Sequence, residues 1–354
     1  MLDALRRTLL PSSPGALRLW LAMVVVFHHV SQIEVGKAPV LVFFALSGYW
    51  VCRVWQDRYR HARQPWLTFV ISRWWRVAPV MLLATVLSFT ALWGVGSAQL
   101  AMAAGMAPQQ FLSSVFVLGY AMMPVRPVGP AWSLDIEMQF YLVAPLLVLL
   151  VRRIPANILL LFTYSFYALC LMAWPEMVLT SFIFPFVLGI VAAQHKWTVS
   201  PRLAEGAQAL AVTLVIAAWV SPWKPMLLET ANDSWWPAFN ILLAALVLPQ
   251  ALVSVQSRGS RMDRIWADQS YIVYMLHWPA IVILRGIAWT AEWQWWVALG
   301  GLALVVASGC AAVLRWYDRP LNRARARWVD RRGRMAGEAL EPGTKRDDSA
   351  PLFA

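Results

Sequence analysis

Residues 18–29 read Arg18-Leu-Trp-Leu-Ala-Met-Val-Val-Val-Phe-His28-His29, an apolar run with an arginine at one end and a histidine pair at the other. Eleven residues of α-helix turn through about 1,100°, three full turns and roughly 20° more, so Arg18 and His29 share a face and lie about 16 Å apart along the axis. His28 is rotated away from that face by roughly 100°. If the helix crosses a membrane, both ends of one stripe carry an ionisable group. Such groups face a cavity or a partner rather than lipid. The chain is read outward from that stripe.

Runs of this kind recur as far as Trp316 in a chain of 354 residues. Hydrophobic residues are 60% of the sequence and charged residues 14%, which overrides the two soluble domains that length alone implies. The mean hydropathy of +0.57 points the same way. The expectation is an all-α, polytopic membrane protein of about ten transmembrane helices. The candidate spans are 16–33, 38–55, 74–93, 133–151, 156–173, 177–194, 206–221, 235–254, 269–290 and 294–316. Twenty-two tryptophans fit the class, because indole favours the membrane interface.

The formal charge of +12 would raise nucleic-acid binding in a soluble protein. Here it reads as topology, and no nucleic-acid partner is expected. With the N-terminus inside, only Lys37, Arg126 and Lys224 of the thirty basic residues fall outside, and Arg285 falls within a span. All others fall on the inner side or at inner helix ends, so both termini are expected in the cytoplasm. The first run is read as a span and not a cleaved leader, since no small-x-small site follows it. Cys52, Cys170 and Cys310 lie in or beside apolar runs without metal-ligand spacing, so neither a metal site nor a disulfide framework is expected. The one long outer segment, Gly94 to Pro130, contains a stretch from Pro108 to Tyr120 apolar enough for a short interfacial or re-entrant helix. Residues 1–328 form one membrane domain on this reading, and 329–354 a polar, disordered cytoplasmic tail.

Four constellations carry chemistry. His29 has an imidazole whose ordinary pKa of about 6.5 suits a general base; His28 reads as a helix-packing hydrogen bond. Arg73 and Arg76 share a face at the inner start of the third span, and guanidinium pairs bind phosphate oxygens. Each arginine reads equally as an inside anchor. Asp135 and Glu137, two residues apart at the outer start of the fourth span, cannot point into one site. Glu137 shares a face with Tyr141 and is the more functional candidate. In the ninth span Tyr274 and His277 are i, i+3 neighbours, with packing the more ordinary role. Ser47-Gly48 in the second span reads as a point of close helix approach, not a nucleophile.

Together these stretches resemble the acyltransferase-3 family of bacterial integral-membrane O-acyltransferases. Its Arg-x10-His pattern is met by Arg18 and His29, and its Phe-x-Leu-Ser-Gly-aromatic pattern by Phe44 to Tyr49. Its Arg-x-x-Arg is Arg73 and Arg76. Its Trp-Ser-Leu-x-x-Glu-x-x-Phe-Tyr runs from Trp132 through Ser133, Asp135 and Glu137 to Tyr141. Its Ser-Tyr-x-x-Tyr-Leu-x-His-x-Pro runs from Ser270 to Pro279, with Met275 in place of leucine. The second, extracytoplasmic domain of some members has no counterpart here.

The resemblance implies acyl-CoA, usually acetyl-CoA, as co-substrate, with no metal. It implies a hydroxyl of a cell-envelope carbohydrate or related molecule as acceptor, and a multi-pass protein of the bacterial inner membrane among lipids. Arg18, Arg73 and Arg76 would hold the nucleotide phosphates. His29 would take the acceptor's proton, oriented by Glu137, unless a covalent acyl-histidine forms. His28, Trp132, Ser133, Asp135, Tyr141, Tyr274 and His277 are supporting residues. The competing class is a proton-coupled multi-pass exporter, which buried Arg, Glu and His would also serve. Oligomeric state is silent in the sequence.

Overall fold

The computed structural model describes residue 11 and residues 13–31, 33–96, 105–173, 178–229, 235–257, 259–286 and 292–338. Arg6, Arg7, Arg258 and the tail beyond 338 lie outside the described residues. The helices are α1 (Pro14–Val30), α2 (Lys37–Asp57), α3 (Pro65–Gly94), α4 (Ala107–Phe116), α5 (Trp132–Arg153), α6 (Ala156–Ala173), α7 (Ile183–Gln194), α8 (Pro201–Val220), α9 (Lys224–Leu228), α10 (Trp236–Ser254), α11 (Arg261–Gly286), α12 (Glu292–Val313) and α13 (Arg319–Glu338). Among the described residues there is no β-strand.

Every expected span overlaps a helix. Among the described residues, six helical segments are long and apolar enough to cross a membrane: Lys37–His61, Pro65–Gly94, Gly129–Arg153, Pro201–Val220, Trp236–Ser254 and Val297–Gly333. Helix α1, the Ala156–Cys170 part of α6 and the segment Leu179–Gln194 are apolar but shorter. Prolines open α1, α3 and α8, where the missing N–H costs nothing. Ser200 adds a side-chain cap to α8 by accepting from the Leu203 amide at 3.3 Å.

The helices divide into an inner ring and a lipid-facing rim. The apolar window of α2 is 67% buried, against 22% for α8 and 12% for the segment from Val297. Leu161, Phe162, Val220 and Leu304 project outward, an apolar surface suited to lipid. At the centre, α2 packs against α7 and α10, and α11 against α1 and α3. A Cβ on Gly48 would collide with the Phe186 carbonyl oxygen, and one on Gly189 with that of Ala45. The two glycines let the backbones of α2 and α7 touch, the role read for Gly48.

Helix α1 is held at its start from outside itself. Asp263 of α11 accepts from the amides of Gly15 (2.9 Å) and Ala16 (3.0 Å) and from the Ser13 hydroxyl. A carboxylate at a helix N-terminus satisfies orphan donors and complements the dipole. The segment between α3 and α5 is likewise tied down. Helix α4 overlaps the stretch from Pro108 to Tyr120 expected to be helical and is followed by Val117 and Gly119, both with positive φ. Beyond it, buried Tyr120 accepts from the Val128 amide at 2.7 Å, and burial pushes its phenol pKa up. Asp135 accepts from the Ala121 amide at 2.8 Å.

Residues 329–338, read as disordered tail from their polarity, are the end of α13. Val329 is buried, Asp330 pairs with Arg58 at 2.6 Å, and the Arg63 amide donates to the Arg332 carbonyl at 3.1 Å. A thin apolar stripe docks this helix, and the arginines around it lowered the average that composition reports. Helices α12 and α13 join through a π-helical turn, Leu314–Asp318, a distortion frequent at functional sites.

Candidate active site

The central helices enclose a cavity of about 150 Å³. Arg18 of α1, Ser47 of α2, Arg73 and Arg76 of α3, Ser133, Glu137 and Tyr141 of α5, and Ser270, Tyr271 and Tyr274 of α11 line it. Five separate motifs of the sequence therefore converge on one space.

At one end are the arginines. Arg73 is 5% exposed, and its guanidinium carbon lies 5.4 Å from the Phe69 ring and 5.8 Å from those of Tyr59 and Tyr141. Its Nε and Nη2 atoms are buried without a hydrogen-bond partner. Leaving a buried donor unpaired costs roughly 1–3 kcal/mol, so this end is built to receive an acceptor. Arg76, one turn on, lies 3.6 Å from Asp268 of α11 and 3.7 Å from Asp318 of the π-helical turn. The Tyr271 hydroxyl donates to the Val77 carbonyl at 2.7 Å, tying α11 to α3 at the same level.

Glu137 reaches the cavity wall and accepts from the hydroxyls of Ser47 and Tyr141. Asp135 turns the other way, held by the Ala121 amide and by Gln139 Nε2 at 3.0 Å. Helical phase separated the two carboxylates as expected. It did not supply the partner. The expected pairing of Glu137 with His29 is replaced by Ser47 and Tyr141, because the face that Glu137 shares with Tyr141 is turned toward α2.

The other end of the cavity closes on Tyr274. Its hydroxyl lies 2.7 Å from Ser133 Oγ, and both face the Pro130 carbonyl, at 3.2 and 3.1 Å. Three oxygens share two protons there. Behind Tyr274 stands His277, with ring centroids 6.3 Å apart, and His277 stacks on His29 at 5.4 Å. The Trp278 edge meets His29 at 5.1 Å, and Gly129 presses on the Trp278 ring. His29 thus lies beyond the cavity wall and not in it.

His277 is 2% exposed, with Nδ1 3.0 Å from the Val273 carbonyl. A carbonyl accepts only, so Nδ1 carries the proton and Nε2 the lone pair. That Nε2 is buried without a partner. The His29 carbonyl accepts from Arg285 Nη2 at 2.6 Å, at the C-terminal ends of both helices. His28 faces away, with Nδ1 3.1 Å from the Ile33 carbonyl and 3.6 Å from Glu34. It packs as read. Trp132 backs the cavity from α5, its ring 6.4 Å from Phe44 and 5.4 Å from Phe182.

A family profile described as an acyltransferase domain, acyltransferase 3, matches residues 13–314. The chain belongs to the acyltransferase-3 family. This acyltransferase is 28% identical over 297 residues to BcsY of Komagataeibacter xylinus, a protein named as a membrane-bound transacylase; the match covers 76% of this chain and 72% of BcsY. It is 25% identical over 366 residues to Nodulation protein 10 of Rhizobium leguminosarum bv. viciae, covering 89% of this chain and 94% of that protein. No solved structure matches. The protein is a membrane-bound acyltransferase, and the exporter reading falls away. Among the described residues, no group of three or more His, Cys, Asp or Glu side chains is placed to hold a metal.

Two participants escaped the sequence reading. Ser47 reads as packing, yet it faces the cavity while its neighbour Gly48 makes the helix contact. Asp268 meets Arg76 together with Asp318, whose Asp318-Arg-Pro320 is similar to the family's acidic residue and proline after the last span. The signal for Ser47 was available: adjacent helical residues point about 100° apart, so one can pack while the other works.

Proposed function

We propose that this acyltransferase moves an acyl group, typically acetyl, from cytosolic acyl-CoA to a hydroxyl of a cell-envelope carbohydrate or related acceptor. The observation that carries this reading is the contrast within the site. One end offers guanidinium N–H groups without acceptors, and the region past the other end offers an imidazole lone pair without a donor. Phosphate complements the first and a hydroxyl the second. The distribution of basic residues supports ten crossings of a bacterial inner membrane, with both termini cytoplasmic and the arginines at the cytosolic end. The carbohydrate acceptor follows from the family resemblance.

In this mechanism Arg18, Arg73 and Arg76 hold the donor's phosphates, and the acyl-pantetheine arm lies in the cavity with its thioester toward Ser133 and Tyr274. The acceptor hydroxyl approaches from outside. Its oxygen attacks the thioester carbonyl carbon while its proton passes to His29. The C–S bond then breaks, and the departing thiolate recovers that proton from the imidazolium as free thiol. The Tyr274 and Ser133 hydroxyls supply donors for the oxyanion. His277 accompanies His29 at the acceptor side, and Glu137 serves the donor side, holding Ser47 and Tyr141 and balancing the arginines.

The test is purified full-length protein with acetyl-CoA and an envelope glycan fraction as acceptor. The expected result is acetyl-CoA binding, thiol release that depends on the acceptor, and acetylated glycan by mass spectrometry. Absence of acetyl-CoA binding overturns the donor. Transfer at ordinary rates in His29→Ala overturns the base. Trapped acetyl on a His29 peptide would replace direct transfer with a covalent intermediate.

A further inference from the structure

The cavity is too small for the whole donor. About 150 Å³ lies below the roughly 300–1,000 Å³ of sites that enclose drug-sized ligands. Coenzyme A has a thin pantetheine arm, a diphosphate, and a nucleoside carrying a third, monoester phosphate on its ribose. If the arm fills the cavity and Arg73 and Arg76 at its wall take the diphosphate, the nucleoside end must lie outside, past those two arginines.

Beside Arg73 lies a further cation, Arg325. It belongs to α13, beyond residue 314, where the family profile ends. It does not line the cavity. Its Nη1 lies 3.4 Å from the carbonyl of Ser72, the residue before Arg73. Arg76, Arg73, Tyr59 and Arg58 all lie within electrostatic reach of it. Asp318 is near as well, though that carboxylate already faces Arg76. With Arg58, which pairs with Asp330, four guanidiniums lie in this region, and Arg76 already faces Asp268 and Asp318. Arg73 Nε and Nη2 are buried with no acceptor, so an anion between Arg73 and Arg325 would relieve both the unmet donors and the like-charge repulsion.

Helix α13 is fixed where this requires. Besides the Arg58–Asp330 pair and the Arg63 amide bond to Arg332, Arg332 Nη1 lies 3.2 Å from Gln64 Oε1, and its guanidinium sits 4.7 Å over the Trp328 ring. Trp328 meets Trp75, which lies between Arg73 and Arg76 in α3. The helix that carries Arg325 is therefore docked on the segment preceding Arg73 and on α3 itself.

We infer that Arg325 binds the ribose monoester phosphate of the acyl-CoA donor, making α13 the outer wall of the donor site. The inference rests on the acyl-CoA reading above and extends it to a residue outside every family motif.

The experiment compares acetyl-CoA with acetyl-3′-dephospho-CoA, binding each to full-length protein in detergent by calorimetry. Wild type should prefer acetyl-CoA. Arg325→Ala should weaken acetyl-CoA by about tenfold, the worth of a charge-assisted phosphate contact, and leave the dephospho analogue unchanged. Arg325→Lys should recover part of the loss. Arg323→Ala, an exposed arginine on the same helix, should bind both analogues as wild type does.

If wild type binds neither analogue, the donor reading itself fails. If wild type binds both but Arg325→Ala matches Arg323→Ala, the donor stands and Arg325 is overturned; a lipid phosphate at Arg325 gives this result. Equal weakening of both analogues also overturns the assignment, because the contact then lies on the diphosphate. An unchanged ligand-free melting temperature in Arg325→Lys separates a lost contact from a lost fold.

Discussion

The two ends of the site are built from opposite shortages. At the inner end buried donors lack acceptors: Arg73 Nε and Nη2 face aromatic rings and cavity. Past the outer end a buried acceptor lacks a donor: His277 Nε2, its tautomer set by the Val273 carbonyl. Glu137, Asp268 and Asp318 stand on the arginine side, whereas His29 is in contact with His28, His277 and Trp278, and the nearby carboxylate of Glu34 faces His28. An unmet hydrogen bond in a buried site costs stability, so each shortage describes the ligand that relieves it. On the proposed mechanism the arginine end takes an anion and the histidine end a neutral hydroxyl. Tyr274 stands between them.

This contrast can be broken from either side. The largest effect should come from His29→Ala, which should lower transfer by about 10²–10⁴-fold while acetyl-CoA still binds. Rate and calorimetry on one preparation check it, and lost donor binding would erase the distinction between the ends. Arg73→Ala should do the reverse, raising the KM for acetyl-CoA by roughly tenfold to a hundredfold with kcat nearly unchanged. A fall in kcat alone would make Arg73 part of the chemistry. His277→Ala should reduce kcat by up to about tenfold, the worth of one hydrogen bond, and leave donor KM alone. If donor KM moves instead, the two ends are not separate. Arg58→Ala should be the mildest. Its pair with Asp330 is more than a third exposed on both sides, so thermal unfolding should register about 0–1 kcal/mol or less.

Much of this was legible in the sequence, and the gaps have a common cause. Apolar run length located the helices, since a membrane span must satisfy its backbone internally. Helical phase put Arg18 and His29 on one face and separated Asp135 from Glu137. Phase within one helix says nothing about which neighbour a face meets. Glu137 therefore went to the wrong partner, and His277, given a packing role, turned out to stack on His29. Composition misjudged α13 for a related reason. An average over residues 329–338 hides Val329, a buried side chain that helps dock that stretch. Asp268 and Arg325 fell outside the motifs because their meaning arises only where α11 and α13 fold back on α3.

The carboxylate of Asp263 at the head of α1 makes that helix a gauge. Pinned at Gly15 and Ala16, it cannot slide, and His29 sits a set number of rises from the pin. The same carboxylate belongs to the helix that carries His277, so the two imidazoles are measured from one zero. An alanine inserted between Arg18 and His29 should therefore not be absorbed by slippage. It should swing His29 by about 100° and advance it by about 1.5 Å, off His277 and out of step with a donor arm of constant length.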